Sequence, residues 1–297
     1  MKAIHAELML LLMTVVWGAT FLFTKIGLEF SSPYVYLLLR FIVAISLVLI
    51  FFGKHLKNIN TKITKQGIFL GLLFGLGFTL QTTGLELTEI QKSAFITGLT
   101  VALTPFAFRL ISKRRISTYA QIGVVIATYG LYIFTDPSLD NFNKGDFLTL
   151  LSTFCWAFFI SYLDKFTKGE EGFSDMISLV FMQMVGAVIV IIIAYIIFEF
   201  PDLKFEMNND LILSVLFNGI IASFVLMIVH TKYQRYTTAV KAALIFSMEP
   251  IFAAIFAMIF IQEFLNSDEY LGAAVMLFGV LFSELGPVLF RKKVVIN

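Results

Sequence analysis

Cysteine, histidine and charge are all scarce in this chain of 297 residues, and each shortage closes off a class of function. The one cysteine, Cys155, falls inside an apolar run, so no intrachain disulfide can staple the fold. The three histidines, His5, His55 and His230, sit in separate segments without HExxH spacing, so no metal is expected. A GxxxxGK phosphate loop is missing, which leaves ATP drive within the chain unsupported, and so is the GxSxG spacing of a serine hydrolase. No cofactor and no nucleic-acid partner is expected. An integral-membrane enzyme would need converging His, Asp, Ser or metal ligands, and this residue inventory offers no such set. Charged residues make up 14% of the chain, where a soluble domain carries about a quarter.

What fills the space is apolar. The chain is 59% hydrophobic with 34 phenylalanines and a mean hydropathy of +0.89, the composition of a polytopic membrane protein. Runs long enough to cross a bilayer predict ten spans: 6–29, 34–52, 67–86, 91–111, 118–135, 146–164, 174–198, 210–230, 239–262 and 269–290. Lys2 followed by the run Leu8 to Thr24 resembles a signal peptide, but no small-residue cleavage site comes after it, so it reads as a retained helix. With the N-terminus inside, sixteen Lys and Arg fall on inside segments and three (Lys92, Lys144 and Lys204) on outside loops. That asymmetry predicts both termini in the cytoplasm.

The polar, turn-rich stretch Asp136 to Lys144 divides the chain into five spans and five spans. The expected organisation is a first repeat over 1–135, a periplasmic linker over 136–145 and a second repeat over 146–297. An odd number of spans per half makes the second repeat inverted. Residue matches agree: Glu7 and Trp17 are ten apart, as are Asp146 and Trp156, each pair opening its half. The stretch 239–264, with Glu249-Pro250 near its middle, has a counterpart in 93–115. Aligning Pro105 with Pro250 sets Ser93 on Thr238, Ala94 on Ala239 and Thr104 on Glu249. Both prolines predict helix kinks, and similar kinked spans in two halves point to a transporter's binding site. Gly67, Gly71 and Gly75 share one helix face and read as a close-packing surface, as do Gly123 with Gly130 and Gly272 with Gly279.

Residues 93–134 resemble the end of the first EamA-type repeat of the drug/metabolite transporter superfamily. Residues 236–282 resemble the end of the second, with their Glu-Pro, Gln262-Glu263 and the Leu-Gly-Ala of the last span. The opening Trp17-Gly18-Ala19-Thr20-Phe21 is similar to that family's first-helix pattern. The resemblance covers nearly the whole chain. It implies an all-α membrane protein of ten transmembrane helices, two inverted five-helix repeats around a central cavity, that exports or exchanges small metabolites. Two departures stand out: Thr104 replaces the acid in the first repeat, and Lys113-Arg114-Arg115 have no Gln-Glu counterpart. Acid chemistry is therefore one-sided.

Candidate substrate-binding residues are Arg40, Trp17, Trp156, Gln81, Thr82 and Glu249. Lys25 and Arg40 lie at similar depth below the outer surface and can form an anion-attracting pair. Alternatively, Lys25 snorkels to headgroups while Arg40 pairs with Glu29 or a carbonyl. Glu249 is the coupling candidate, since a carboxyl in a water-poor cavity can bind and release a proton near neutral pH; pairing with Lys241 or a role at the kink are its alternatives. Gln81, Thr82 and Thr83 either line the cavity or bond between helices. Trp17 and Trp156 sit mid-span rather than in the interfacial belt, facing the cavity or packing. His230 and Glu284 read as solvated at the cytoplasmic interface.

The functional expectation is a secondary transporter in the bacterial cytoplasmic (inner) membrane, exporting a small metabolite, amino acids or related zwitterions first, by alternating access. Its partners are a small-molecule substrate, the lipid bilayer and, through Glu249, protons. A sugar-phosphate or nucleotide-type anion exchanger is the alternative. A four-helix cation-drug effluxer needs an acid deep in span 1, whereas Glu7 lies at its inner edge.

Overall fold

The computed structural model describes residues 3–57, 59–135, 142–169, 172–201, 203–261 and 266–289. Residues 136–141 of the expected linker 136–145, Gln262-Glu263, the C-terminal basic residues and the side chain of Glu284 lie outside the described residues. Thirteen α-helices run in order: α1 Ala3–Leu28, α2 Pro33–Phe52, α3 Thr61–Leu87, α4 Ile90–Gly98, α5 Thr100–Ser112, α6 Thr118–Thr135, α7 Lys144–Thr167, α8 Phe173–Phe198, α9 Asn209–Leu216, α10 Leu226–Gln234, α11 Ala239–Phe246, α12 Glu249–Ile261 and α13 Ser267–Leu289. A π-helical stretch, Phe217–Val225, joins α9 to α10. Extended pairing among the described residues is limited to one isolated bridge, Ser31 with Phe205.

Eight segments are long and apolar enough to cross a membrane: Ala3–Leu28, Pro33–Leu56, Thr61–Leu87, Ile90–Ser112, Lys144–Thr167, Phe173–Phe198, Asn209–Gln234 and Ala239–Phe260. The two remaining expected spans, 118–135 and 269–290, coincide with α6 and α13, whose apolar stretches Thr118–Phe134 and Tyr270–Ser283 are shorter. Helices dominate because lipid offers no partner for backbone N–H and C=O, and a helix satisfies both within itself.

Three of the eight segments are broken. Ala239–Phe260 breaks between α11 and α12, at Ser247 and Met248, where Met248 N bonds Ile245 O at 3.1 Å in a tightened turn. Pro250 then takes the second position of α12, where its missing N–H has no intrahelical partner to lose. The first half behaves differently. The interruption expected at Pro105 lies six residues upstream, at Leu99, and α5 runs through the proline. Backbone bonds from Leu99 N to Ile96 O and from Ala102 N to Leu99 O carry that join. The third break is the π stretch itself.

Small residues let the helices meet. On α3 the expected glycine face lies against α8: a Cβ on Gly71 would stand 2.7 Å from Gly186 Cα, and one on Gly75 the same distance from Ala187 Cα. The expected faces of α6 and α13 meet each other, with a Cβ on Gly279 placed 2.7 Å from Ala127 N. Such backbone contact is how helices gain dispersion energy where burial from water gives none. Gly71→Leu and Gly279→Val will therefore each destabilise the detergent-purified protein, by about 1–3 kcal/mol of overpacking strain. A thermal melt followed by loss of the monodisperse peak in size-exclusion chromatography measures this, and an unchanged melt would reject the close-contact account.

Candidate functional site

The spans enclose a cavity with about 820 Å³ of empty volume, its mouth included. Seven of the spanning segments supply its walls. α1 contributes Trp17, Thr20, Phe21 and Thr24; α2 contributes Arg40; α3 contributes residues from Phe74 to Leu85. α7 adds Trp156, Phe159 and Ile160, and the three broken segments add Thr97, Gly98 and Thr100, then His230, then Ala243, Phe246, Ser247 and Glu249. All six expected binding residues, Trp17, Arg40, Gln81, Thr82, Trp156 and Glu249, line this one space, while Lys25 and Thr83 do not.

Arg40 is 3% exposed. Its Nε donates to Ser223 Oγ at 2.6 Å, and its guanidinium carbon stands 4.4 Å from the centre of the Phe78 ring. A buried cation needs such contacts, and its partner is a hydroxyl and an aromatic face, in place of the expected Glu29 or carbonyl. Lys25 is also corrected: its ammonium donates to Leu85 O and Thr88 O, both at 2.7 Å, closing the C-terminus of α3. Free carbonyls at a helix end, with the negative pole of the dipole, are a natural seat for a lysine.

Glu249 opens α12, at the positive end of its dipole. The pairing with Lys241 is overturned: Lys241 binds Glu7 at 3.1 Å, and Thr237 Oγ1 donates to the same carboxyl at 3.0 Å. Among the described residues no hydrogen bond or ion pair reaches the Glu249 carboxyl. Thr104, which the proline alignment sets on Glu249, is fully buried, donates to Thr100 O at 2.8 Å and does not line the cavity; the matching breaks at Leu99 and Met248 set Thr100 on Glu249 instead, so the first repeat places no acid here. Gln81 bonds between helices as well as lining the cavity, donating to Thr97 Oγ1 at 2.8 Å.

His230 is a correction. Interfacial solvation was expected, but the residue is 1% exposed and lines the cavity. α10 continues one turn past it to Gln234, so His230 is not in the last turn of its span. Its ring meets Trp17 at 5.4 Å, Phe246 at 5.2 Å and Phe159 at 5.8 Å, forming an aromatic cluster at one end of the cavity. His230 Nε2 also bonds Gln234, whose amide donates to Ile160 O at 2.6 Å. Trp156 sits edge-on to Phe78 at 4.9 Å and Phe74 at 5.6 Å. Each tryptophan therefore both faces the cavity and packs on rings. The aromatic residues Phe74, Phe78, Phe159 and Phe246 escape sequence reasoning, because 34 phenylalanines give no signal to choose among.

Two polar clusters flank the cavity. In one, Asp146 takes Lys92 at 2.6 Å and Thr88 Oγ1 at 2.6 Å, and Lys25 binds the Thr88 carbonyl. Asp146 also completes the cap of α7, accepting from Asn143 N at 2.8 Å. In the other, Glu7 takes Lys241 and Thr237 Oγ1, and Lys168 donates to Thr237 O at 2.5 Å. Both have the same parts: an acid opening a long helix, a threonine and lysine from a helix turn in the other half of the chain, and a second lysine on that threonine's carbonyl.

A membrane-embedded helical fold around a mostly apolar cavity with a few placed polar groups is the form of a small-solute carrier. The EamA-like transporter family matches residues 4–135 and 143–285, and the chain belongs to that family. An uncharacterized transporter of Archaeoglobus fulgidus is 32% identical over 96% of this chain and 87% of its own length. A protein of Escherichia coli named as a probable amino-acid metabolite efflux pump is 25% identical over 93% of each chain. A solved crystal structure shares the fold, with a TM-score of 0.76 at 14% identity, covering 98% of this chain and all of that one. The protein is an integral membrane transporter, of a family whose named relatives are transporters rather than enzymes.

Trp17→Phe and Trp156→Phe will each lower flux about tenfold, roughly one lost interaction of 1.4 kcal/mol, while leaving the amount of protein in the membrane unchanged. Flux per molecule in reconstituted vesicles measures this; wild-type flux in both variants would assign the indoles to packing alone.

Proposed function

We propose that the chain is a ten-span secondary exporter of a small zwitterionic metabolite, amino acids first, working by alternating access between two inverted five-helix repeats. The repeats are 1–135 and 146–297, joined by 136–145. The observation that carries the substrate class is that Arg40 and Glu249 line one cavity without being ion-paired to each other. They stand on different walls, since α2 packs on α8 and the π stretch while α12 packs on α1 and α4. A solute with a carboxylate and an ammonium meets both charges and is desolvated by the aromatic walls between them. Arg40 is one cation, which suits a carboxylate better than the two negative charges of a sugar phosphate. With Lys25 committed to α3, the anion-exchanger alternative loses the second cation it relied on.

Packing supports the inverted repeat. Exchanging the first five spans for the last five turns the α3–α7 contact into that of the π stretch and α10 with α1, and the α5–α7 contact into that of α12 with α1. The α2–α8 and α6–α13 contacts map onto themselves. The two polar clusters exchange in the same way, Asp146 with Glu7 and Lys92 with Lys241. The positive-inside asymmetry supports a Glu7 cluster at the cytoplasmic end and an Asp146 cluster at the outer end, with both termini cytoplasmic, and a bacterial inner-membrane location completes this reading. In this reading the clusters are the two gates, which alternate as one repeat rocks on the other. Export as the direction is supported by the efflux name of the Escherichia coli relative.

Reconstitution in liposomes tests this reading. Amino acids, nucleosides, sugar phosphates and cationic drugs are screened for protein-dependent flux, with and without a pH gradient. The expected result is amino-acid flux that Arg40→Gln lowers by at least about tenfold, the scale of one lost charge-assisted bond. Glu249→Gln is expected to preserve flux and remove its response to the pH gradient. Flux restricted to sugar phosphates would overturn the zwitterion reading, and flux indifferent to Glu249→Gln under every gradient would make that acid structural.

The gates give a separate prediction. Cys155, which does not line the cavity, is replaced by Ala, and a cysteine is introduced at the lining position Thr20. In that background Glu7→Gln will raise labelling of the introduced cysteine by a membrane-impermeant maleimide from the cytoplasmic side, and Lys92→Gln will raise it from the outer side, each by severalfold for the loss of one partly buried ion pair. The same response to both variants would reject paired gates.

A further inference from the structure

The π-helical stretch Phe217–Val225 interrupts a span that is otherwise α-helical, and its buried residues are Asn218, Gly219, Ala222 and Ser223. Isolated π turns take in an extra residue, which rotates the later turns of the helix out of α-helical register. Here the face so turned is fitted against α2. A Cβ on Gly219 would stand 2.8 Å from Val43 Cγ1 and 3.1 Å from the carbonyl oxygen of Arg40 itself. Asn218 Nδ2 donates to Tyr36 Oη at 2.5 Å, one turn of α2 before Arg40, and to Thr24 Oγ1 at 3.1 Å, a cavity residue. Ser223 Oγ accepts from Arg40 Nε at 2.6 Å.

A guanidinium presents five N–H donors in one plane. Ser223 occupies the donor on one edge, and the Phe78 ring, 4.4 Å from the guanidinium carbon, covers a face. What is left is the fork of the two terminal amino groups, which have no acceptor among the described residues. With Nε engaged, the two-bond grip left for a carboxylate is end-on, by both terminal groups at once.

We propose that Ser223, delivered by the π stretch, is the positioning residue that aims the Arg40 fork into the cavity, and so sets the selectivity of the site for a carboxylate. This rests on the reading of Arg40 as the receptor for the solute's anionic group. Without the Ser223 hydroxyl the guanidinium turns about its long stem, and its positive charge stays in the cavity while the end-on geometry is lost. Ser223 therefore governs recognition of a planar carboxylate more than attraction of a spherical anion.

That difference is measurable without knowing the substrate. Trp17 and Trp156 are the only two tryptophans in the chain, and both line the cavity. Iodide quenches their fluorescence as a spherical anion, acetate competes with it as a carboxylate, and acrylamide reports access without charge. On the full-length protein in detergent, acetate is expected to relieve iodide quenching. Ser223→Ala is expected to need about tenfold more acetate, the scale of one hydrogen bond to a charged group, with iodide and acrylamide quenching near wild type. Ser223→Thr, which keeps the hydroxyl, is expected to retain the wild-type acetate response. An unchanged acetate requirement in Ser223→Ala, with relief abolished in Arg40→Gln, would overturn the role of Ser223 and leave Arg40 as the receptor. Equal losses in the Ala and Thr variants would overturn the hydrogen-bond account in favour of packing. Wild-type behaviour of Arg40→Gln would overturn the anion-receptor reading and this proposal with it.

Discussion

Inside a bilayer every backbone N–H and C=O must find a partner within the protein, and most of this molecule is a consequence of that constraint. It makes the chain helical nearly throughout, and it makes every interruption of a helix costly. The spans nevertheless contain three interruptions, at Leu99, at Ser247 and Met248, and over the π stretch. All three border the cavity or hold a residue that does: Gly98 and Thr100 flank the first, Ser247 and Glu249 the second, and Ser223 of the third holds Arg40. Irregular backbone is tolerated there because neighbouring helices and cavity space supply what hydrocarbon does not. Departures from the α-helix thus mark the site as clearly as the charged residues do.

Charge is used sparingly and in two distinct ways. At the ends of the spans, acids and lysines join the two halves, each acid taking a lysine and a threonine at once. Such partly buried pairs give geometric specificity more than stability. In the cavity, Arg40 and Glu249 have no opposite charge from the protein among the described residues. The contrast between satisfied charges at the ends and open charges in the middle separates architecture from recognition.

Aromatic residues connect the two. Trp17, Phe159, Phe246 and His230 pack on one another at one end of the cavity, and Phe74, Phe78 and Trp156 do so along its wall. Edge-to-face rings at these separations hold one another in place, so they form a firm apolar lining, and Phe78 in that lining also steadies Arg40.

The sequence alone determined the membrane class, the family and the helical segments, because apolar length and lysine–arginine asymmetry are imposed residue by residue by the bilayer. It also singled out Trp17, Arg40, Gln81, Thr82, Trp156 and Glu249, since polar or indole groups in mid-span are costly and therefore conspicuous. Which partner each charge takes was decided only in three dimensions. Lys25 went to α3 carbonyls, Lys241 to Glu7 and Arg40 to Ser223, choices among residues up to 234 positions apart along the chain. The break at Leu99 and the burial of His230 are likewise tertiary: where a helix yields, and whether its last turn continues, depends on what the neighbouring helices offer its free carbonyls and side chains. Periodicity says that a residue lies on a helix; only packing says what that residue faces.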